Sequence, residues 1–148
     1  MIDAAGGPQV RIERVLPAPI EVVFEAWTDP ARMAEWLSPV GHAEVEVDPR
    51  VMGRFKVSMI GETTRIEHTG EYLVVNPPNE LSFTWQSLYT GSEPSVVTVL
   101  FEAEGDETRI VLTHSRLPES QVHPHTLGWE AMIMRLAGLL DRMRSEAR

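Results

Sequence analysis

The chain has 148 residues, a formal net charge of -9 and no cysteine. The acidic balance argues against nucleic acid, which needs a basic surface, and against anionic membrane surfaces; lack of cysteine excludes disulfides and thiolate metal sites. The length suits one domain spanning residues 1–148, able to bury roughly 68–70% of its unfolded surface without staples.

"MIDAAGGPQV" has neither a basic n-region nor an apolar h-region, so residues 1–8 read as a loose lead-in, not a signal. No run approaches the ~18 apolar residues of a spanning helix. The expectation is a cytoplasmic domain with no membrane insertion.

"QVRIERVL" (Gln9–Leu16) alternates and predicts a strand, with Val10, Ile12 and Leu16 inward. Pro19 suits the first position of a helix carrying Ile20, Val23, Phe24 and Trp27. "DPARMAEWL" predicts a second short helix, with Asp29 as N-cap, Pro30 at N1, and Met33, Trp36 and Leu37 on one face. From residue 42 to 115 the period changes to two. "HAEVEVD" and "GRFKVSMI" alternate, the latter with Phe55, Val57 and Met59 together. "RIEHTGEYLVV" is a long strand stopped by "NPPN". Its facing is ambiguous, because Tyr72, Leu73, Val74 and Val75 run together. Either Glu67 and Glu71 face inward, or His68 and Tyr72 do. "ELSFTWQSL" groups Leu81, Phe83 and Trp85, "PSVVTVLFEAE" groups Val97, Val99 and Phe101, and "TRIVLTH" groups Ile110, Leu112 and His114.

The chain closes on "GWEAMIMRLAGLLDRM" (Gly128–Met143), which predicts a helix. Trp129, Met132, Ile133, Leu136, Leu139, Leu140 and Met143 share its apolar face. Its two glycines, Gly128 and Gly138, are expected to let neighbouring elements approach closely. Six consecutive strands with short turns imply an antiparallel meander whose buried face must be covered, and this helix is the available cover.

In this order and spacing, "RVLPAPIEVVFEAWTDPARMAEWLSP", "GRFKVSM", "HTGEYLVVNPPNELSFTW", "VTVLFEAEGDETRIVLTH" and "GWEAMIMRL" carry a resemblance. From about Val10 to Met143 the chain resembles the SRPBCC or START-like superfamily of helix-grip folds related to the birch-pollen allergen. Within it, the chain is similar to the branch named for the C-terminal domain of the heat-shock-90 ATPase activator. The resemblance implies an α+β helix-grip fold: an antiparallel sheet of about seven strands wrapped around a long C-terminal helix, with two short helices after the first strand. It also implies a cavity between helix and sheet. It names no reaction, because that scaffold carries binding proteins, enzymes and chaperone regulators alike.

Small-molecule cavities are mostly apolar and aromatic, with a few placed polar groups. On that basis the expected ligand-binding residues are Trp36, Phe55, Met59, Glu71, Phe83, Trp85, His114, Trp129, Met132 and Ile133. Glu71 would be a carboxylate with a raised pKa inside the cavity, and His114 either a polar cavity group or a partner of the neighbouring chain. The other apolar residues of the last helix are expected to anchor it. Trp129→Ala is then expected to damage binding more than folding. "HPH" at 123–125 lacks i, i+4 spacing and an acidic pair, so no metal is expected; the three residues read as a solvated approach to the helix. No nucleophile elbow or phosphate-binding glycine pattern is present, and no cofactor is expected. The first function expected is binding of a small hydrophobic or aromatic molecule. The alternative is a protein-interaction module with a chaperone partner, like the activator domain. A homodimer is compatible with a domain of this size.

Overall fold

The computed structural model describes residues 8–147. The lead-in expected over residues 1–8 therefore lies, apart from Pro8, outside the described residues. Ten elements follow one another: β1 (Val10–Leu16), α1 (Ile20–Ala26), α2 (Pro30–Trp36), β2 (His42–Val47), β3 (Arg54–Ile60), β4 (Arg65–Asn76), β5 (Glu80–Trp85), β6 (Ser95–Glu104), β7 (Glu107–Ser115) and α3 (Glu119–Glu146).

The strands form one seven-stranded antiparallel sheet in the order β1-β7-β6-β5-β4-β3-β2. The meander runs from β2 to β7, and β1 returns to pair with β7, Ile12 lying opposite Leu112. The sheet curls, and α3 lies across its concave face, packing against β1 and α2. This is an α+β helix-grip fold.

Strand alternation decides what the sheet buries. On β7, Ile110, Leu112 and His114 are all buried, and on β6 so are Val97, Val99 and Phe101. Facing them on α3 are Trp129, Met132, Ile133, Leu136, Leu139 and Leu140, with Met143 packed at the margin of this core. Each fully buried aliphatic side chain contributes roughly 1.5–3 kcal/mol relative to exposure. The short helices add a dense aromatic cluster. Trp27 meets Trp36 edge-on with ring centroids 4.6 Å apart, and Trp36 Nε1–H donates to the Ala26 carbonyl at 2.9 Å. From α3, Arg135 donates to the carbonyls of Ser38 and Gly41, tying the helix to the segment between α2 and β2.

Three sequence expectations are corrected. First, Pro19 is the N-cap of α1, and the helix begins at Ile20. Second, α3 begins at Glu119, well before Gly128, with Pro124 inside it. Proline removes the N–H that would reach Ser120 and crowds that carbonyl, but Ser120 is an exposed residue. The adjacent carbonyls of Gln121 and Val122 accept bonds from His125 Nδ1 and Thr126 Oγ1, both at 2.8 Å. Third, neither helix glycine admits a close neighbour. A Cβ at Gly128 would meet nothing within 4 Å, and one at Gly138 only the end of the Arg142 side chain at 3.6 Å.

The ambiguous run on β4 also finds its explanation. Tyr72 pairs with Phe83, yet Val74 pairs with Ser82 and Val75 with Leu81. One extra residue, Leu73, is inserted there as a β-bulge. Tyr72 and Val75 therefore both turn inward although three residues apart, while Leu73 is exposed. Upstream of the bulge, His68 and Tyr72 occupy the inner face, and both are buried.

One glycine is required by this arrangement. Gly70 pairs with Phe55, and a Cβ there would lie 2.0 Å from the Thr84 carbonyl oxygen and 2.3 Å from the Phe55 ring. Its bare backbone lets the Phe55 ring lie against β4 and reach Trp85, with centroids 6.0 Å apart. Gly70→Ala is expected to destabilise the protein by about 3 kcal/mol, the top of the usual overpacking range. Urea unfolding at neutral pH measures this, and an unchanged midpoint would contradict the packing described.

Candidate functional site

Between the inner face of β3–β5 and the first turns of α3 the structure leaves a cavity of about 220 Å³. Met59 lines it from β3, Ile66 and His68 from β4, and Trp85 from β5. From α3 come Gln121, His125, Gly128, Trp129 and Met132, while Pro39 and Tyr89 stand on the flanking loops. The α3 residues follow i, i+4, i+7, i+8, i+11, a single stripe of the helix. Gly128 sits in the middle of that stripe with open space before it. With no side chain there, that part of the space stays open.

The walls are aromatic. Trp85 and Trp129 approach to 5.4 Å between centroids, and His68 lies on Trp85 at 4.6 Å and 32°. Behind Trp129, the Trp27 ring stacks at 6.0 Å.

A buried hydrogen-bond chain fixes these rings. Trp129 Nε1–H donates to His114 Nδ1 at 3.0 Å. An indole nitrogen can only donate, so His114 Nδ1 carries no proton and Nε2 does. That Nε2–H faces Ser95 Oγ at 2.7 Å, and the Ser95 hydroxyl donates to the Trp85 carbonyl. The chain thus joins two cavity walls through the sheet and holds His114 as one neutral tautomer. Burial pushes the His114 pKa well below its usual value, with His125 and His68 adding to the effect.

His68 is in a different position. Its ring is 5% exposed, and its Nδ1 is buried with no hydrogen-bond partner. Burial, reinforced by nearby His125, lowers its pKa to about 4; backbone groups of Val57 and Ile66 oppose this in part without reaching hydrogen-bond geometry. His125 is half-buried, and burial lowers its pKa as well, against the effect of the Gln121 carbonyl.

Of the residues singled out from sequence, Met59, Trp85, Trp129 and Met132 line this cavity. Phe55 and Phe83 stand deeper, with Trp27 and Tyr72, around an inner void of about 10 Å³ that is too small for a ligand. Trp36 is packed under the short helices, bonded to Ala26. Ile133 and His114 are buried behind the wall, His114 bonding its neighbours instead of facing the space. Glu71 is corrected: it lies on the other face of β4 from Tyr72 and borders a separate outer groove with Arg54 and Thr84. The bulge at Leu73 is the reason, since it makes both Tyr72 and Val75 inward and so removes the face that would have carried Glu71.

Sequence reasoning missed Pro39, Ile66, Tyr89 and Pro124 as cavity residues, and with them Gln121, His125 and Gly128. Their signal was present for three of them: 121, 125, 128 and 132 continue one helical stripe. Pro124 concealed it by suggesting that the helix starts later. Among the described residues, no three His, Asp or Glu side chains gather as metal ligands, and no helix is long and apolar enough to cross a membrane.

Two predictions follow from these environments. Trp129 is 1% exposed and is held by His114, Trp27 and Trp85. Trp129→Ala is therefore expected to cost on the order of 3–5 kcal/mol, measured by urea unfolding, so folding suffers first and the sequence expectation for this variant is revised. His68 has a folded pKa of about 4 against 6.5 for the free group. Below pH 6.5 the unfolded chain takes up a proton that the folded chain refuses, so stability present above that pH is lost as pH falls towards 4. The His68 share of that loss is about 3 kcal/mol. His68→Phe should show a correspondingly smaller fall in unfolding free energy between pH 7 and 4; an identical fall would exclude His68 as the group.

Known proteins share this architecture. Protein CV1439 from Chromobacterium violaceum is 25% identical, with a TM-score of 0.79 over 90% of this chain and 97% of its own. CalU16 from Micromonospora echinospora is 26% identical, with a TM-score of 0.73 over 97% of this chain and 85% of its own. PFC0360w, an HSP90 activator from Plasmodium falciparum, is 27% identical, with a TM-score of 0.62 over 76% of this chain and 75% of its own. A search of curated proteins finds no match. The profile described as Activator of Hsp90 ATPase homolog 1-like protein matches residues 17–141, and the chain belongs to that family.

Proposed function

We propose that the chain binds a small hydrophobic or aromatic molecule in the cavity between β3–β5 and α3. The observation that carries this reading is the cavity itself, about 220 Å³ and walled by Met59, Ile66, Trp85, Trp129 and Met132. An apolar cavity of roughly 150 Å³ is enough for benzene, so a one- or two-ring molecule is the appropriate scale. Tryptophan faces supply stacking surface, and methionine adapts its shape to the occupant. Gly128 supports the same reading, because alanine there would favour the helix by about 1 kcal/mol and a Cβ at that position would meet nothing within 4 Å.

A second reading, activation of the Hsp90 ATPase, draws on the likeness to the Plasmodium protein described as an HSP90 activator. A pull-down against the chaperone with an ATPase assay tests it; stimulation there without any cavity ligand would favour it.

The cavity reading is tested by displacement of a fluorescent hydrophobic probe and by ligand-induced shifts in melting temperature. Gly128→Leu is the informative variant. It is expected to keep or raise the melting temperature while reducing probe binding at least tenfold, because its side chain enters the space. Undiminished binding by a folded Gly128→Leu protein would place the probe elsewhere and sink this reading.

A further inference from the structure

The polar groups of the cavity restrict the chemistry of its occupant. His125 is held in one tautomer by its own helix: Nδ1 lies 2.8 Å from the Gln121 carbonyl, and a carbonyl only accepts, so Nδ1 bears the proton. In the neutral ring Nε2 then offers a lone pair, and among the described residues it has no partner. The ring lines the cavity and meets His114 edge-on at 5.2 Å. Across the space, His68 presents a second ring whose buried Nδ1 is unpartnered. Tyr89 is the other titratable group in the lining, which contains no Lys, Arg, Asp or Glu.

These features disfavour several kinds of ligand group. A carboxylate would enter an apolar cavity with no cation to meet it, and an ammonium would find no anion; both carry a large desolvation cost. An ether or ketone can only accept; it could pair with the Gln121 amide or the Tyr89 hydroxyl, which also line the space, but it would leave the Nε2 lone pair of His125 unsatisfied. A neutral hydroxyl donates to that lone pair, and an aromatic ring bearing it can lie against Trp85 and Trp129. We propose that the cavity selects a hydroxylated aromatic molecule, of the phenol or naphthol class, whose hydroxyl donates to His125 Nε2. This rests on the cavity being a binding site, and it adds which chemistry the site prefers.

Two probes of nearly equal shape separate the questions: 2-naphthol, which donates, and 2-methoxynaphthalene, which cannot. Isothermal titration at pH 7 is expected to show 2-naphthol binding about tenfold tighter, the scale of one net hydrogen bond. In His125→Phe the ratio of the two affinities is expected to fall to near one. His125→Leu repeats the measurement should the phenylalanine variant not fold. Equal binding of both probes by the unaltered protein, or a preference that persists without His125, overturns the inference while leaving the cavity reading standing. Binding of neither probe by the unaltered protein overturns both.

Discussion

The bond from the Trp129 indole to His114 spans the interface between the one long helix and the sheet it covers. It joins α3 to β7, and through Ser95 it reaches the backbone of β5. A buried chain of this kind is costly to leave unsatisfied, so together with the apolar stripe from Trp129 to Leu140 it fixes the rotation of α3 about its own axis. With that rotation fixed, Leu136, Leu139 and Leu140 face the core while Gln121, His125 and Gly128 face the cavity. The bond also holds Trp129 between Trp27 and Trp85, at the boundary between packed core and open space.

That boundary divides α3 into two parts with different duties. Beyond Met132 the helix is an ordinary core element, closed against sheet and short helices. Before it the helix stands off from β3–β5, and residues that would fill the gap are replaced by Gly128 or by rings that stop at its edge. Aromatic packing gives this region stiff walls: Phe55 can reach Trp85 only because Gly70 has no side chain between them. Burial lowers the pKa of both lining histidines, His68 and His125, and the lining holds no Lys, Arg, Asp or Glu, so the hollow is largely uncharged at neutral pH. The net charge of -9 therefore resides on the outside and does not describe the site.

Much of the fold is legible in the letters because period is a local property. The change from helical spacing to alternation at residue 42, and back at the end, marks the elements. Alternation on β6 and β7 predicts their buried residues, Val97, Val99, Ile110 and Leu112 among them. The resemblance of the whole series to helix-grip proteins supplies the arrangement that local period lacks. Of the cavity, the letters give the walls that are large and apolar: Met59, Trp85, Trp129 and Met132. They do not separate these from Phe55, Phe83 and Ile133, since all are apolar residues on inward faces and differ only in what stands opposite.

The sequence by itself determined the class of the fold, the buried faces of its elements and the helix that covers the sheet, because these follow from spacing within one segment. Tertiary structure decided what depends on two segments at once. The bulge at Leu73 is a register between β4 and β5, and it lets Val75 turn inward together with Tyr72 and His68 while Glu71 stays out. The helix runs through Pro124 from Glu119, which brings His125 to the cavity wall. Gly128 is invisible as a cavity residue in one dimension. Only opposite the gap beside three strands does its missing side chain border an open space.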